Sequence, residues 1–276
     1  ADGDYRSRAS GNWSSNTTWA KRSGGSWANC GAGDYPGVSA GAGYVQIRNG
    51  NTITVTGNPP NAVKGIHFGG TGALTFGGSW TVEITNNLYM ISGTLNVSNG
   101  AGRVGTLNIN GDFIMTGGTI TESSSSYGAI VFKGNKTQQF YRSAGTIQND
   151  VRFSVTNTST LKMDTSTIAN TCLGTFTLGT GCGLTIGDAN GISLTGATGN
   201  IQSTGTRTFN TGCTYTYNRS DSNQYTGVGI PSTVKTLNFK GCSKNMILSK
   251  SITVNTTYTK NSRVGIDKNG FTLTVP

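Results

Sequence analysis

The chain has 276 residues, of which 42 are glycine and only 12% are charged; glycine is therefore at about double its usual share and charge at about half. Glutamate occurs only as Glu83 and Glu122, so the long helix-forming side chains are scarce and a helical protein is excluded. The net charge of +10 comes without collagen's strict glycine period, without the apolar poverty of disordered chains, and without the roughly 18 consecutive apolar residues of a membrane helix.

The start, Ala1-Asp2-Gly3-Asp4-Tyr5-Arg6, has no apolar signal core. With abundant Ser, Thr and Asn, it reads as an exported protein whose signal peptide has been removed. Three of the four tryptophans, Trp13, Trp19 and Trp27, fall in the first thirty residues. An uncapped stack of strands exposes apolar core and unpaired edges, so residues 1–50 are expected to form a Trp-rich lid. The same rings could also stack on sugars or on another subunit.

From residue 51 to 276 an apolar-x-apolar triplet recurs, placing two side chains on one face of a short strand. It begins at Ile53/Val55, Leu74/Phe76, Val82/Ile84, Leu95/Val97 and Leu107/Ile109, and runs on to Leu273/Val275. Asn-Gly pairs, from Asn49-Gly50 to Asn269-Gly270, supply positive-φ corners between strands. The units resemble each other: Gly93-Thr94-Leu95, Gly105-Thr106-Leu107, Gly118-Thr119-Ile120 and Gly145-Thr146-Ile147. Self-similarity of this kind predicts an all-β protein, a single elongated β-solenoid (β-helix) formed as one continuous body over 51–276. β-sandwich domains are the alternative. The calcium-binding nonapeptide pattern is absent, so the fold is not expected to need calcium.

Chemistry is sparse. His67 is the only histidine, and the alternation Ile66-His67-Phe68 turns it to the surface. No nucleophile sits in a catalytic motif, no metal pair is visible, and the aspartates are scattered. Asp188-Ala189-Asn190-Gly191 reads as a turn. The reading is non-enzymatic, with no cofactor and no metal. The five cysteines form neither a CxxC pair nor a zinc pattern; the favoured disulfides are Cys172 with Cys182 and Cys213 with Cys242, with Cys30 left over. Buried unbridged thiols are the alternative.

Charge is lopsided. From Arg207 to Pro276 nine bases face two acids, which gives seven of the ten net positive charges. Lys240, Lys244 and Lys250 are the residues expected to meet an acidic partner, such as anionic polysaccharide, lipopolysaccharide or another subunit; a solvated face is the plainer alternative. Nucleic acid is not expected, because no recognition helix or RNA-binding motif is present.

Gly11-Asn12-Trp13-Ser14-Ser15-Asn16-Thr17-Thr18-Trp19, with Gly43-Tyr44-Val45-Gln46-Ile47 and Gly50-Asn51-Thr52-Ile53-Thr54-Val55, resembles the N-terminal capping segment of secreted Bacteroidetes surface proteins, many of them type IX secretion cargo. The run from Gly199 to Asn210, with Tyr215-Thr216-Tyr217 and Gly229 to Leu237, looks like their repeats. The resemblance implies a cell-surface location. The sorting domain usual in that family is not seen in the sequence.

Three functions follow as expectations. The first is a structural or adhesive surface protein, an adhesin segment or a subunit of an extracellular fibre, joined head to tail through edges such as Phe271-Thr272-Leu273-Thr274-Val275. The second is a carbohydrate-binding or polysaccharide-active β-helix, which requires carboxylates and bases from different coils to converge in one groove. The third is an ice-binding solenoid, suggested by Thr52-Ile53-Thr54-Val55-Thr56, which requires Thr-x-Thr to recur at one place in successive coils; the sequence shows only dispersed examples, such as Thr175-Phe176-Thr177 and Thr214-Tyr215-Thr216.

Overall fold

The structure is a computed structural model that describes all residues except Asn49, Ser124, Ser125, Cys242 and Ser243. It is an all-β solenoid of about ten turns, with 45% of the chain in strands. Two compact units make it up: residues 1–132 with 142–152, and residues 133–141 with 153–276.

In the first unit three ladders of short parallel strands surround one core. One runs through Ala42–Ile47, Val63–Phe68, Leu88–Met90 and Phe113–Met115. A second joins Thr81–Ile84, Thr106–Ile109 and Gly128–Phe132. The third joins Thr52–Val55, Ala73–Phe76, Thr94–Asn96, Thr119–Thr121 and Thr146–Ile147. Alternation puts one apolar side chain of each coil directly above the next. Val45, Ile66, Leu88 and Phe113 form one such column, and Ile53, Leu74, Leu95, Ile120 and Ile147 another, all fully buried. Burying each such side chain contributes about 1.5–3 kcal/mol, and no coil could bury its pair alone.

The repeated Gly-Thr has a steric cause. Gly118 and Gly145 open successive strands of the third ladder with φ of +80° and +85°. A Cβ on Gly118 would lie 2.7 Å from the Ser92 carbonyl oxygen, and one on Gly145 2.8 Å from that of Gly117. Only glycine turns this corner while lying against the coil below. Gly105, alike in sequence, leads into the second ladder instead.

The N-terminal lid is antiparallel. Tyr5–Ser7 pairs in parallel with Ala42–Ile47 on one side and antiparallel with Trp19–Ser23 on the other, and Trp19–Ser23 then pairs with Ser26–Asn29. This hairpin covers the edge of the first coil.

In the second unit the longest ladder runs through Thr160–Asp164, Gly183–Ile186, Thr214–Tyr217, Thr233–Phe239, Ile252–Lys260 and Leu273–Thr274. Beside it, Phe176–Leu178 pairs with Arg207–Phe209, and Gln224–Tyr225, Asn245–Ile247 and Gly265–Asp267 form a third group. Leu161, Leu184, Tyr215 and Leu237 stack inward. The phenols are satisfied: Tyr215 donates to the Asn210 carbonyl and Tyr217 to that of Thr226, each at 2.7 Å.

The expected disulfide Cys172–Cys182 is not formed: Cys30, Cys172, Cys182 and Cys213 are buried thiols outside any bridge. Cys242, the expected partner of Cys213, lies outside the described residues, as does Asn49 of the first Asn-Gly corner. Spacing along the chain misleads because the neighbour of a buried side chain in a solenoid lies one coil away. Arg207, counted with the basic surface, is instead 4% exposed. Its guanidinium donates to the carbonyls of Ser203 (2.8 Å), Ser193 (3.1 Å) and Gly196 (2.6 Å), and desolvation lowers its pKa.

Candidate functional site

The most regular surface of the first unit is the outer side of its third ladder. Each strand there points one apolar residue inward and the two flanking residues outward. One outward rank is Thr52, Ala73, Thr94, Thr119 and Thr146; the other is Thr54, Thr75, Asn96 and Thr121. The nine positions hold seven threonines, an alanine and an asparagine, and no ionisable group. Parallel strands place successive members of a rank about 4.8 Å apart, and the two ranks lie about 6.7 Å from each other. Among the described residues the hydroxyls of Thr52, Thr54, Thr75, Thr94, Thr119 and Thr146 make no hydrogen bond within the chain. Thr121 is tied down, accepting from Asn149 Nδ2 at 3.0 Å, and Asn96 Nδ2 donates to Ser123 Oγ at 2.6 Å. Two of the five coils carry a complete Thr-x-Thr, at Thr52/Thr54 and Thr119/Thr121, and the other three contribute one threonine each in the same register.

The second unit carries a shorter version. Thr214, Thr236 and Thr257 align, as do Thr185, Thr216, Asn238 and Thr259. Asn238 bridges its neighbours, donating to Thr216 Oγ1 at 3.1 Å and accepting from Thr259 at 2.5 Å.

A polar groove of about 270 Å³ also opens in the second unit, lined by Asp164, Thr165, Gly187, Asn218, Arg219, Ser220 and Asp221. Asp164 sits at a register shift with φ of +47°. Its carboxylate accepts from Asn218 Nδ2 at 2.6 Å and pairs with Lys162 at 3.2 Å. Arg219 pairs with Asp221 at 2.8 Å and donates to the Gly187 carbonyl at 3.1 Å. Carboxylates and bases from separate coils do converge here. Sequence spacing gave no signal of it, since Asp164 and Asn218 are 54 residues apart.

In the first unit, Asp4, Tyr44, Gln46, His67 and Tyr89 line a shallow groove of about 290 Å³. His67 faces outward between Gln46 and Tyr89 in the ladder, and its ring meets Tyr89 edge-on at 6.0 Å. Asn86 Nδ2 donates to the Tyr44 hydroxyl at 3.0 Å and Asn87 Nδ2 to that of Tyr89 at 2.7 Å. Both phenol protons are therefore free to point outward.

The tryptophans divide. Trp13 and Trp19 are buried in the lid and present no ring face to solvent. Trp27 is partly exposed and lies under the Arg6 guanidinium, 4.5 Å from its ring centre. Lys240 and Lys244 are exposed and Lys250 is partly so. Each sits just outside a strand, at the ends of Thr233–Phe239, Asn245–Ile247 and Ile252–Lys260. Among the described residues no three His, Cys, Asp or Glu side chains gather as a metal site. No family model, curated protein or solved structure matches this chain.

Proposed function

We propose that this is a non-enzymatic, extracellular adhesive protein that holds a regularly repeating, uncharged surface through its outward threonine ranks. The observation that carries the reading is the in-register array of Thr52, Thr54, Thr75, Thr94, Thr119, Thr121 and Thr146. A rigid array at a fixed period meets many equivalent points of a periodic target at once, so weak contacts multiply into avidity. The array is neutral in a chain of net charge +10, which suits a target without charge. Crystalline polysaccharide and ice both answer this description. The hairpin lid over the first coil favours adhesion over head-to-tail fibre growth. A secreted, surface-exposed location agrees with the Gly-, Thr- and Asn-rich composition and with the resemblance to secreted surface proteins. Depletion of the full chain from solution by crystalline cellulose, crystalline chitin or ice tests this reading.

A second reading, binding of soluble glycans, is favoured by the groove at Asp164, Asn218, Arg219 and Asp221. Carboxylate, amide and guanidinium groups in one groove match the mixed donors and acceptors of sugar hydroxyls. Binding of soluble oligosaccharides that is lost in Asn218→Leu while adsorption to solids persists would separate the two sites.

A further inference from the structure

The buried thiols of the second unit are not independent of one another. Gly183 pairs with Thr214 in parallel register, and the Thr214 amide donates to the Cys182 carbonyl at 3.0 Å. Cys182 and Cys213 are therefore neighbours one coil apart, at the same point of the stack. Both side chains point inward, with 1% and 0% exposure, as do Leu184 and Tyr215 two residues on. They also repeat one contact: Cys182 Sγ lies 3.3 Å from the Val155 carbonyl oxygen and Cys213 Sγ 3.0 Å from that of Gly179. Those two acceptors are themselves one coil apart, since the Gly179 amide donates to the Val155 carbonyl at 2.9 Å. The thiols thus lie side by side in the same orientation. Adjacent parallel strands are about 4.8 Å apart, inside the roughly 4.4–6.8 Å window of Cα separations that a disulfide spans. A turn of each χ1 toward the other, with the two strands drawing together by a few tenths of an ångström, brings the sulfurs within bonding reach.

We propose that Cys182 and Cys213 are a thiol pair that joins two successive coils by a disulfide when a low-molecular-weight disulfide is supplied. The Cys182 or Cys213 thiolate attacks the small disulfide, forming a mixed disulfide and releasing one small thiolate. The second cysteine thiolate then attacks the protein sulfur of that mixed disulfide and releases the other. Two protein thiols are oxidised and one small disulfide is reduced to two small thiols. The bond closes a loop of about 30 residues and ties neighbouring coils covalently, a device suited to a chain that works in an oxidising exterior. Desolvation, with the neighbouring thiol adding to it, pushes the Cys213 thiol up to about 11. Thiolate is therefore scarce at neutral pH, and the bond should form about tenfold faster for each pH unit gained below that value.

The test is to incubate the folded full chain with oxidised or reduced glutathione, quench with acid and map the peptides by mass spectrometry. The expected result is a loss of two hydrogen masses and a tryptic link between the peptide 163–207 and the peptide 208–219, with formation about tenfold faster at pH 8 than at pH 7. Cleavage after Phe176 separates Cys172 from Cys182, and the link should remain with the Cys182 fragment without any variant being needed. Linkage of Cys213 to Cys172 or to Cys242, a persistent glutathione adduct, or two reduced thiols after prolonged exposure at pH 9 would each overturn the proposal.

Discussion

The indole N–H of Trp19 donates to the carbonyl of Trp13 at 2.7 Å, and the two rings meet edge to face with centroids 5.3 Å apart. Trp13 in turn donates through its own indole to the Pro36 carbonyl at 2.8 Å. Two large aromatic residues, each with its polar handle satisfied, seal the end of the first unit. Trp19→Ala should cost about 3–5 kcal/mol, whereas Trp27→Ala, at the surface, should cost less than about 1 kcal/mol. Denaturant unfolding followed by fluorescence checks both; equal losses would show that the lid is not held as described.

Gly118 stands where its left-handed backbone and its approach to the Ser92 carbonyl leave no room for a Cβ. Gly118→Val should destabilise the first unit by several kcal/mol, on the order of strain plus overpacking combined. Gly24→Ala changes an open hairpin corner where an added Cβ meets nothing within 4 Å, so only its φ of +57° opposes the change. Thermal melts of the two variants should separate clearly, with Gly118→Val much the lower.

Arg207 is held inside by three carbonyls. Arg207→Met leaves those acceptors without their donor and should cost about 2–4 kcal/mol; Arg207→Lys, a point charge without the planar fork, should recover little of it. A chemical denaturation midpoint for each variant measures this, and full recovery by lysine would contradict the geometry.

Burial, followed by a 2.6 Å hydrogen bond to Asp34, raises the Tyr5 phenol to about 12. In the unfolded chain the phenol ionises near 10, so above that pH the unfolded state releases its proton first. The stability linked to the Tyr5 proton is therefore fully present below about pH 10 and is lost as pH rises from about 10 towards 12. Tyr5→Phe should flatten part of that fall in unfolding midpoints measured across the range. An unchanged alkaline slope would show that the Tyr5 phenol does not drive the loss.

Much of the fold was legible because its physics is local. The triplets from Ile53/Val55 to Leu107/Ile109 became inward columns, whereas Val275 of Leu273/Val275 is exposed, and the Gly-Thr corners at residues 93, 118 and 145 mark strands of one ladder. The threonine ranks were hidden because coil length varies: Ala73 aligns with Thr94, 21 residues on, but Thr119 aligns with Thr146, 27 residues on. No fixed period in the sequence exposes such a register. The polar groove was hidden for a related reason, since Asp164 meets Asn218 across coils and not along the chain. Arg207 escaped notice because a charge is read as exposed unless its carbonyl partners are known, and these come from a long irregular loop.

Adsorption of the full chain through its threonine ranks is measured by depletion isotherms on crystalline cellulose, crystalline chitin and ice. Thr94→Lys with Thr119→Lys puts two charges into the array at outward positions, where stability should change by about 1 kcal/mol or less. The unmodified chain should leave solution onto at least one of the three solids, and the double variant, still folded, should bind that solid at least about tenfold more weakly. Absence of adsorption to all three, or adsorption that the two lysines leave unchanged, would contradict binding through the ranks.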